Sequence, residues 1–191
     1  MADEKIRMLQ GVSSADTHHS ANAFVIGPDG GLYWSRGIFN VANMETPTQT
    51  YRSTASGVYR FDPRTFEMDF IFPIGPNPHG DVFDQWGFQF ANDGTGGTGS
   101  YVNIGKGTGN KPWFKKRVRP VAATGILSSS HFPKANNGNF LICNVIGFQG
   151  VLQHEVKYDG ADITAEEIEP ILYSSDPTFR PSDIEVGGDG A

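Results

Sequence analysis

Cysteine is nearly missing from this chain of 191 residues. Cys143 stands alone, which excludes an internal disulfide and any CxxC or CxxCH element. Its setting, NFLICNVIG, is an apolar strand-like run, so the expectation is a buried and inert thiol. Positive charge is also scarce. Fifteen Lys and Arg face twenty-one Asp and Glu, a net charge of −6, and a surface that neutralises phosphates needs the opposite balance. Nucleic acid is therefore excluded as a partner. The one basic cluster, Lys115, Lys116 and Arg117 with Arg119, reads as a solvated loop. No apolar run approaches the roughly 20 residues that span a bilayer, so no membrane span is expected, and MADEKIRMLQ lacks the apolar centre of a secretory signal.

What is abundant is turn-forming residues: 24 Gly and 12 Pro, with 14 Phe among a hydrophobic share of only 38%. Short strands joined by many turns fit this composition, and the fold class is all-β. Four glycine turns recur: FVIGPDGGLYW (residues 24–34), VFDQWGFQF (82–90), FPKANNGNFLI (132–142) and IEVGGDGA (184–191). With Gly30, Gly87, Gly138 and Gly190 as equivalent points, the steps are 57, 51 and 52 residues. A period near fifty carried by strand–turn–strand units marks the blades of a β-propeller. The reading is a partial propeller spanning 1–191: about three blades plus the start of a fourth, cut from a longer protein.

Blade 1 covers about residues 17–72, with strands at 23–26, 31–36, 56–61 and 66–72 and a long connection at 37–55. Loops of that length in compact domains are functional or disordered. Blade 2 covers about 77–120. Strands at 80–83 and 88–92 are followed by the Gly-rich residues 93–113, where GKGTGN lacks the spacing of a phosphate-cradling loop. Blade 3 covers about 123–174, with strands at 125–129, 139–145, 150–158 and 168–173. Residues 164–169 are open to one helical turn. The next blade starts at 179–191. In such a fold the first strand of each blade lines a central channel, and the segments before those strands meet at one mouth. These are Asp16-Thr17-His18-His19, Asn77 to Asp81, Ser128 to His131 and Phe179 to Asp183. Convergent ionisable groups at a funnel are a starting hypothesis for a site. The alternative is that Asp16, Asp81 and Asp183 cap turns. His18 and His19 are adjacent, so on extended backbone only one faces the channel, where a neutral imidazole can serve as general base. No HxH or HxxxH pair exists and no metal ligand is assigned. His154, between Gln153 and Glu155, reads as surface.

Four blocks, DTHHSANAFVIGPDGGLYW, NPHGDVFDQWGFQFANDGTGG, SSSHFPKANNGNFLICNVIGFQGVLQHEVKYDG and DPTFRPSDIEVGGDGA, together resemble the propeller of PVC-type haem-binding proteins, a group of membrane-bound dehydrogenase-like proteins. More distantly, the spacing from His19 to the GPDG turn is similar to soluble quinoprotein glucose/sorbosone dehydrogenases. The resemblance implies a periplasmic or otherwise extracytoplasmic protein that oxidises a sugar or polyol. Electrons would pass to pyrroloquinoline quinone, with Ca²⁺, or to a haem c domain outside this chain, and the remaining blades and haem domain would be its partners. It implies His19 as catalytic base, Arg180 and His79 as cofactor contacts, and His18, Asp81 and Asp183 around the substrate. One departure bears on the quinone: the pattern has an arginine ahead of NPxG, and here Pro76 precedes Asn77. The competing expectation is a non-catalytic propeller that binds glycans or a protein partner at the same mouth.

Overall fold

A computed structural model describes residues 3–95, 99–102, 110–115 and 120–191. The chain is all-β, and the described strands form three four-stranded antiparallel sheets, none closed on itself, with one separate hairpin. The first sheet holds β1 (Asn22–Ile26), β2 (Leu32–Arg36), β5 (Gly57–Phe61) and β6 (Met68–Pro73), with the hairpin of β3 (Ala42–Glu45) and β4 (Thr50–Ser53) inserted before β5. The second holds β7 (Pro78–Phe83), β8 (Gln89–Asp93), β9 (Gly99–Val102) and β10 (Asn110–Pro112). The third holds β11 (Val121–Ile126), β12 (Phe140–Asn144), β13 (Gly150–Asp159) and β14 (Asp162–Tyr173). In each sheet the order in space follows the order in the chain, and the first strand lies at an edge.

The recurrent turns share one hydrogen-bonding pattern. Gly27 N–H donates to Gly31 O and Gly30 N–H to Gly27 O, both at 2.9 Å. The same two bonds join Asp84 with Phe88 and Gly87, Leu127 with Asn139 and Gly138, and Gly187 with Ala191 and Gly190. The glycine before each closing residue has φ of 80°, 84°, 84° and 87° in turn. A left-handed residue at this point is what a three-residue hairpin loop needs to return the chain with the strands' own twist. Three of the loops have three residues. The third, 128–138, has eleven.

The sheets pack face to face in chain order. Tyr33, Val58 and Phe72 of the first meet Ala91 and Phe83 of the second, with the Tyr33 and Phe83 rings edge to face at 4.9 Å. Between the second and third lie Phe90, Trp113, Phe114 and Phe140, with centroids 4.5 Å apart for Phe90–Trp113 and 4.8 Å for Trp113–Phe140. Residues 184–186 cover the outer face of the third sheet around Leu127, Leu141 and Cys143.

Four expectations change. The connection at 37–55 contains β3 and β4, because Ala42 and Met44 alternate inward onto Trp34 and Tyr59. Buried Arg36 holds this insertion by donating to the carbonyls of Asn40, Ser53 and Ala55. The strand expected at 125–129 is β11 at Val121–Ile126, since the turn closes on Leu127 and the strand has to precede it. Residues 164–169 continue β14 rather than turning as helix, with Ile163 and Ala165 on the buried face. His154 is buried, its ring 4.9 Å from Phe114, because β13 is covered by the second sheet. The start of the fourth unit, 181–186, is not part of a strand ladder. GKGTGN lies outside the described residues apart from the backbone of Asn110, as do three of the four basic residues of the 115–119 cluster.

Candidate functional site

The free edges of β1, β7 and β11 border one cavity of about 610 Å³, and residues 182–186 form its fourth wall. Each of the three strands has a register break near its start: between Asn22 and Val25, between Pro78 and Asp81, and between Val121 and Ala123. A bulge bends a strand and re-aims its side chains. On β7 it turns on Gly80, whose φ is +93°, and it sets His79, Gly80 and Asp81 together on the wall. Gly80 also admits β11: a Cβ here would stand 2.5 Å from Thr124 Oγ1. Two polar atoms at this junction, His79 Nδ1 and Thr124 Oγ1, are buried without a hydrogen-bond partner among the described residues.

Asp81 is buried and both its oxygens accept from Gln89 Nε2, at 3.0 and 3.1 Å. Burial, only partly offset by that amide, pushes its carboxyl up to about 8, so at neutral pH it is mostly protonated. Burial holds the His79 imidazole below its ordinary value, with the Asp183 carboxylate pulling the other way. Asp183 is on the facing wall, and its backbone oxygen accepts from Cys143 Sγ at 3.7 Å. Cys143 is fully buried, and desolvation together with Asp183 pushes its thiol up to about 12, so it is the inert thiol expected of its surroundings.

His19 does not line the cavity. It ends the short 3₁₀ turn Thr17–His19, capped by Asp16 Oδ1, which accepts from His18 N–H at 3.0 Å. Its side chain is 15% exposed, with Nδ1 3.3 Å from Asp16 Oδ2 at ion-pair distance, without hydrogen-bond geometry. The ring packs beside Phe39 and over Gly37, where a Cβ would come within 2.9 Å of it. Buried Asn40 clamps this corner: its Nδ2 donates to His19 O at 2.9 Å and its Oδ1 accepts from Asp16 N–H at 3.1 Å. His18 points away and is 89% exposed. The corner is joined to the strand carrying His79 through Ile38 N–H, which donates to Pro76 O at 3.2 Å. Gly94 likewise ties Asn77 to Val121, so the starts of β7 and β11 share one rim.

Of the residues singled out from sequence, the cavity brings together His79, Asp81 and Asp183. His18 and His19 stand at the rim, and Arg180 is exposed and away from the wall. Ser128 to His131 follow β11 instead of preceding it, so they lie toward the end of the strands opposite that rim, where Ser128 still reaches the cavity wall. Sequence reasoning missed Thr124, Gln89, Gly37 and Asn40. Asn40 falls in the insertion read as a plain connection, and Gln89 and Thr124 take their roles from partners across strands, which no local spacing announces. Among the described residues no group of three or more His, Cys, Asp or Glu side chains gathers as a metal site, and no helix is long and apolar enough to cross a membrane.

No curated protein matches this chain. Residues 1–119, more than half of it, match a family described as Domain of unknown function (DUF7133). The chain therefore belongs to the DUF7133 family.

Proposed function

We propose that the three sheets are successive blades of a β-propeller, and that the cavity between their first strands is the substrate site of a dehydrogenase-like protein that oxidises a sugar or polyol. The blades take the boundaries 17–72, 77–120 and 123–174, with 179–191 opening the next. The observation that carries this reading is the meeting of three edge strands on one cavity with His79, Asp81 and Asp183 on its walls. A depressed imidazole is neutral at pH 7 and can accept the hydroxyl proton of a bound polyol, while a protonated carboxyl can donate a hydrogen bond to its oxygen. His79 thus takes the role of base that the resemblance would give to His19. The carbinol hydrogen leaves with its two electrons as hydride to an organic redox cofactor of an extracytoplasmic domain outside this chain, which has to reach the cavity for the step to balance.

Pyrroloquinoline quinone does not fit these walls. It is a tricarboxylate, and the cavity presents the carboxylates of Asp183 and Glu185 beside the protonated Asp81, with neither Lys nor Arg among the described lining residues. No step is assigned to it, and this chain should show no spectral shift on titration with the quinone.

A second reading rests on Phe24 and Ile26 of β1, 61% and 65% exposed on the cavity wall: an apolar lining suited to a glycan face or a partner protein without chemistry. Dye-linked oxidation of a sugar and polyol panel, measured on this chain together with its redox domain, separates the two. Turnover should fall about 100-fold or more in His79→Ala and, in the parent, decline toward acid only once pH is below the ordinary imidazole value. A loss confined to His19→Ala would return the base to the rim. Saccharide binding with no turnover would leave a binding module.

A further inference from the structure

A second hollow, of about 240 Å³, lies at the other end of the strands, between the Asp84–Phe88 turn and the enlarged loop 128–138. It owes its existence to that enlargement. Where the other three recurrent glycine turns close with three residues, this one carries eleven, and Ser128, Ser130 and Asn137 of the added chain stand exposed around the opening. The loop is held in place by its own bonds. Ser129 N–H donates to Asn137 Oδ1 at 3.0 Å, His131 N–H donates to Ser129 Oγ at 3.1 Å, and that hydroxyl bonds Gly190 O.

One aromatic side chain completes the lining, and a second stands on the adjoining turn. Tyr158 of β13 lines it, 51% exposed, with its hydroxyl donating to Asp84 Oδ2 at 3.0 Å. Trp86, next to the lining residue Gln85, is 67% exposed at the tip of a turn where polar residues are the norm. Asp84 also accepts from Trp86 N–H and Phe88 N–H, both at 2.9 Å, so one carboxylate fixes both the turn bearing Trp86 and the Tyr158 ring. Rigid aromatic faces beside hydroxyls and side-chain amides match a sugar ring, which has apolar C–H faces and a belt of hydroxyls. The volume is below the range of about 300–1,000 Å³ typical of drug-sized ligands, and so suits a single ring.

We infer that this hollow is a saccharide-binding subsite that adjoins the His79 cavity at Ile126 and Ser128, with Tyr158 as its aromatic face, Trp86 on the neighbouring turn as an outer contact for the bound sugar, and Gln85, Ser128, Ser130 and Asn137 as its polar contacts. It requires no chemistry at the first cavity. The test uses the intact chain with glucose, galactose, mannose, xylose and N-acetylglucosamine and their β-1,4-linked dimers as probes. Trp34 and Trp113 are buried, so acrylamide quenching of native fluorescence reports on Trp86. At least one probe should shield Trp86, and saturation-transfer NMR should show that probe bound about tenfold more weakly in Trp86→Ala and in Ser130→Ala/Asn137→Ala, and unchanged in His79→Ala. The inference is overturned if no probe shields Trp86 at about 100 mM, or if binding survives Trp86→Ala and is lost in His79→Ala.

Discussion

Asp81 is a carboxyl enclosed by the sheets with one amide for company, and its raised pKa has a consequence for stability. The folded protein holds a proton that the unfolded chain releases near the ordinary carboxylate value of about 3.9. Between that pH and about 8 the folded state binds more protons, so stability falls as pH rises through this window and is unaffected by Asp81 below it. Asp81→Asn keeps the shape without the titration. Urea unfolding should show the variant gaining over the parent on going from pH 4 to pH 8.5, by about 5 kcal/mol. Parallel pH profiles for the two proteins would mean that Asp81 is ionised and solvated in the fold.

At the scale of the hairpin, the repeated turn depends on one left-handed residue. Gly138 has φ of +84°, and a Cβ there would meet nothing within 4 Å, so a substitution is strained by backbone alone. Gly138→Ala should cost about 1–2 kcal/mol and Gly138→Asn less, since Asn tolerates this conformation. Thermal or urea unfolding reads both, and equal losses would point to a tertiary contact instead. Gly80 differs in kind. Its φ of +93° is joined by the 2.5 Å approach of Thr124, so its demand comes from the neighbouring sheet. The insertion β3–β4 is likewise held from outside itself, by buried Arg36 with its guanidinium 5.1 Å from the Tyr59 ring.

For the molecule as a whole, the contact between the third sheet and residues 181–186 can be followed through Cys143. The thiol lies under Ile184 and Val186, and burial has raised it far above neutral pH. In the native protein it should be unreactive toward a disulfide reagent at pH 8 and should titrate fully in denaturant. Ile184→Ala opens its cover, and should restore measurable reactivity with little effect on the buried rings between the second and third sheets. Rapid labelling of the native parent would show that residues 181–186 do not stay docked on this face.

The four glycine turns and their spacing were legible because a turn's demand is local. A left-handed backbone position selects Gly whatever surrounds it, and all four glycines adopt it. The all-β class and the inert Cys143 followed equally from nearby residues. Other features rest on neighbours brought from elsewhere in the chain. The His79 imidazole is held below its ordinary value because the sheets bury it. Asp81 keeps its proton for the same reason. His154 looks like a surface residue until Phe114 covers it. The grouping of His79, Asp81 and Asp183 was readable from their places ahead of each turn, whereas the separation of His19 and Arg180 from that wall was not. Spacing places a residue along a strand, but the packing of one sheet on the next decides which side chains share a cavity and what charge they carry there.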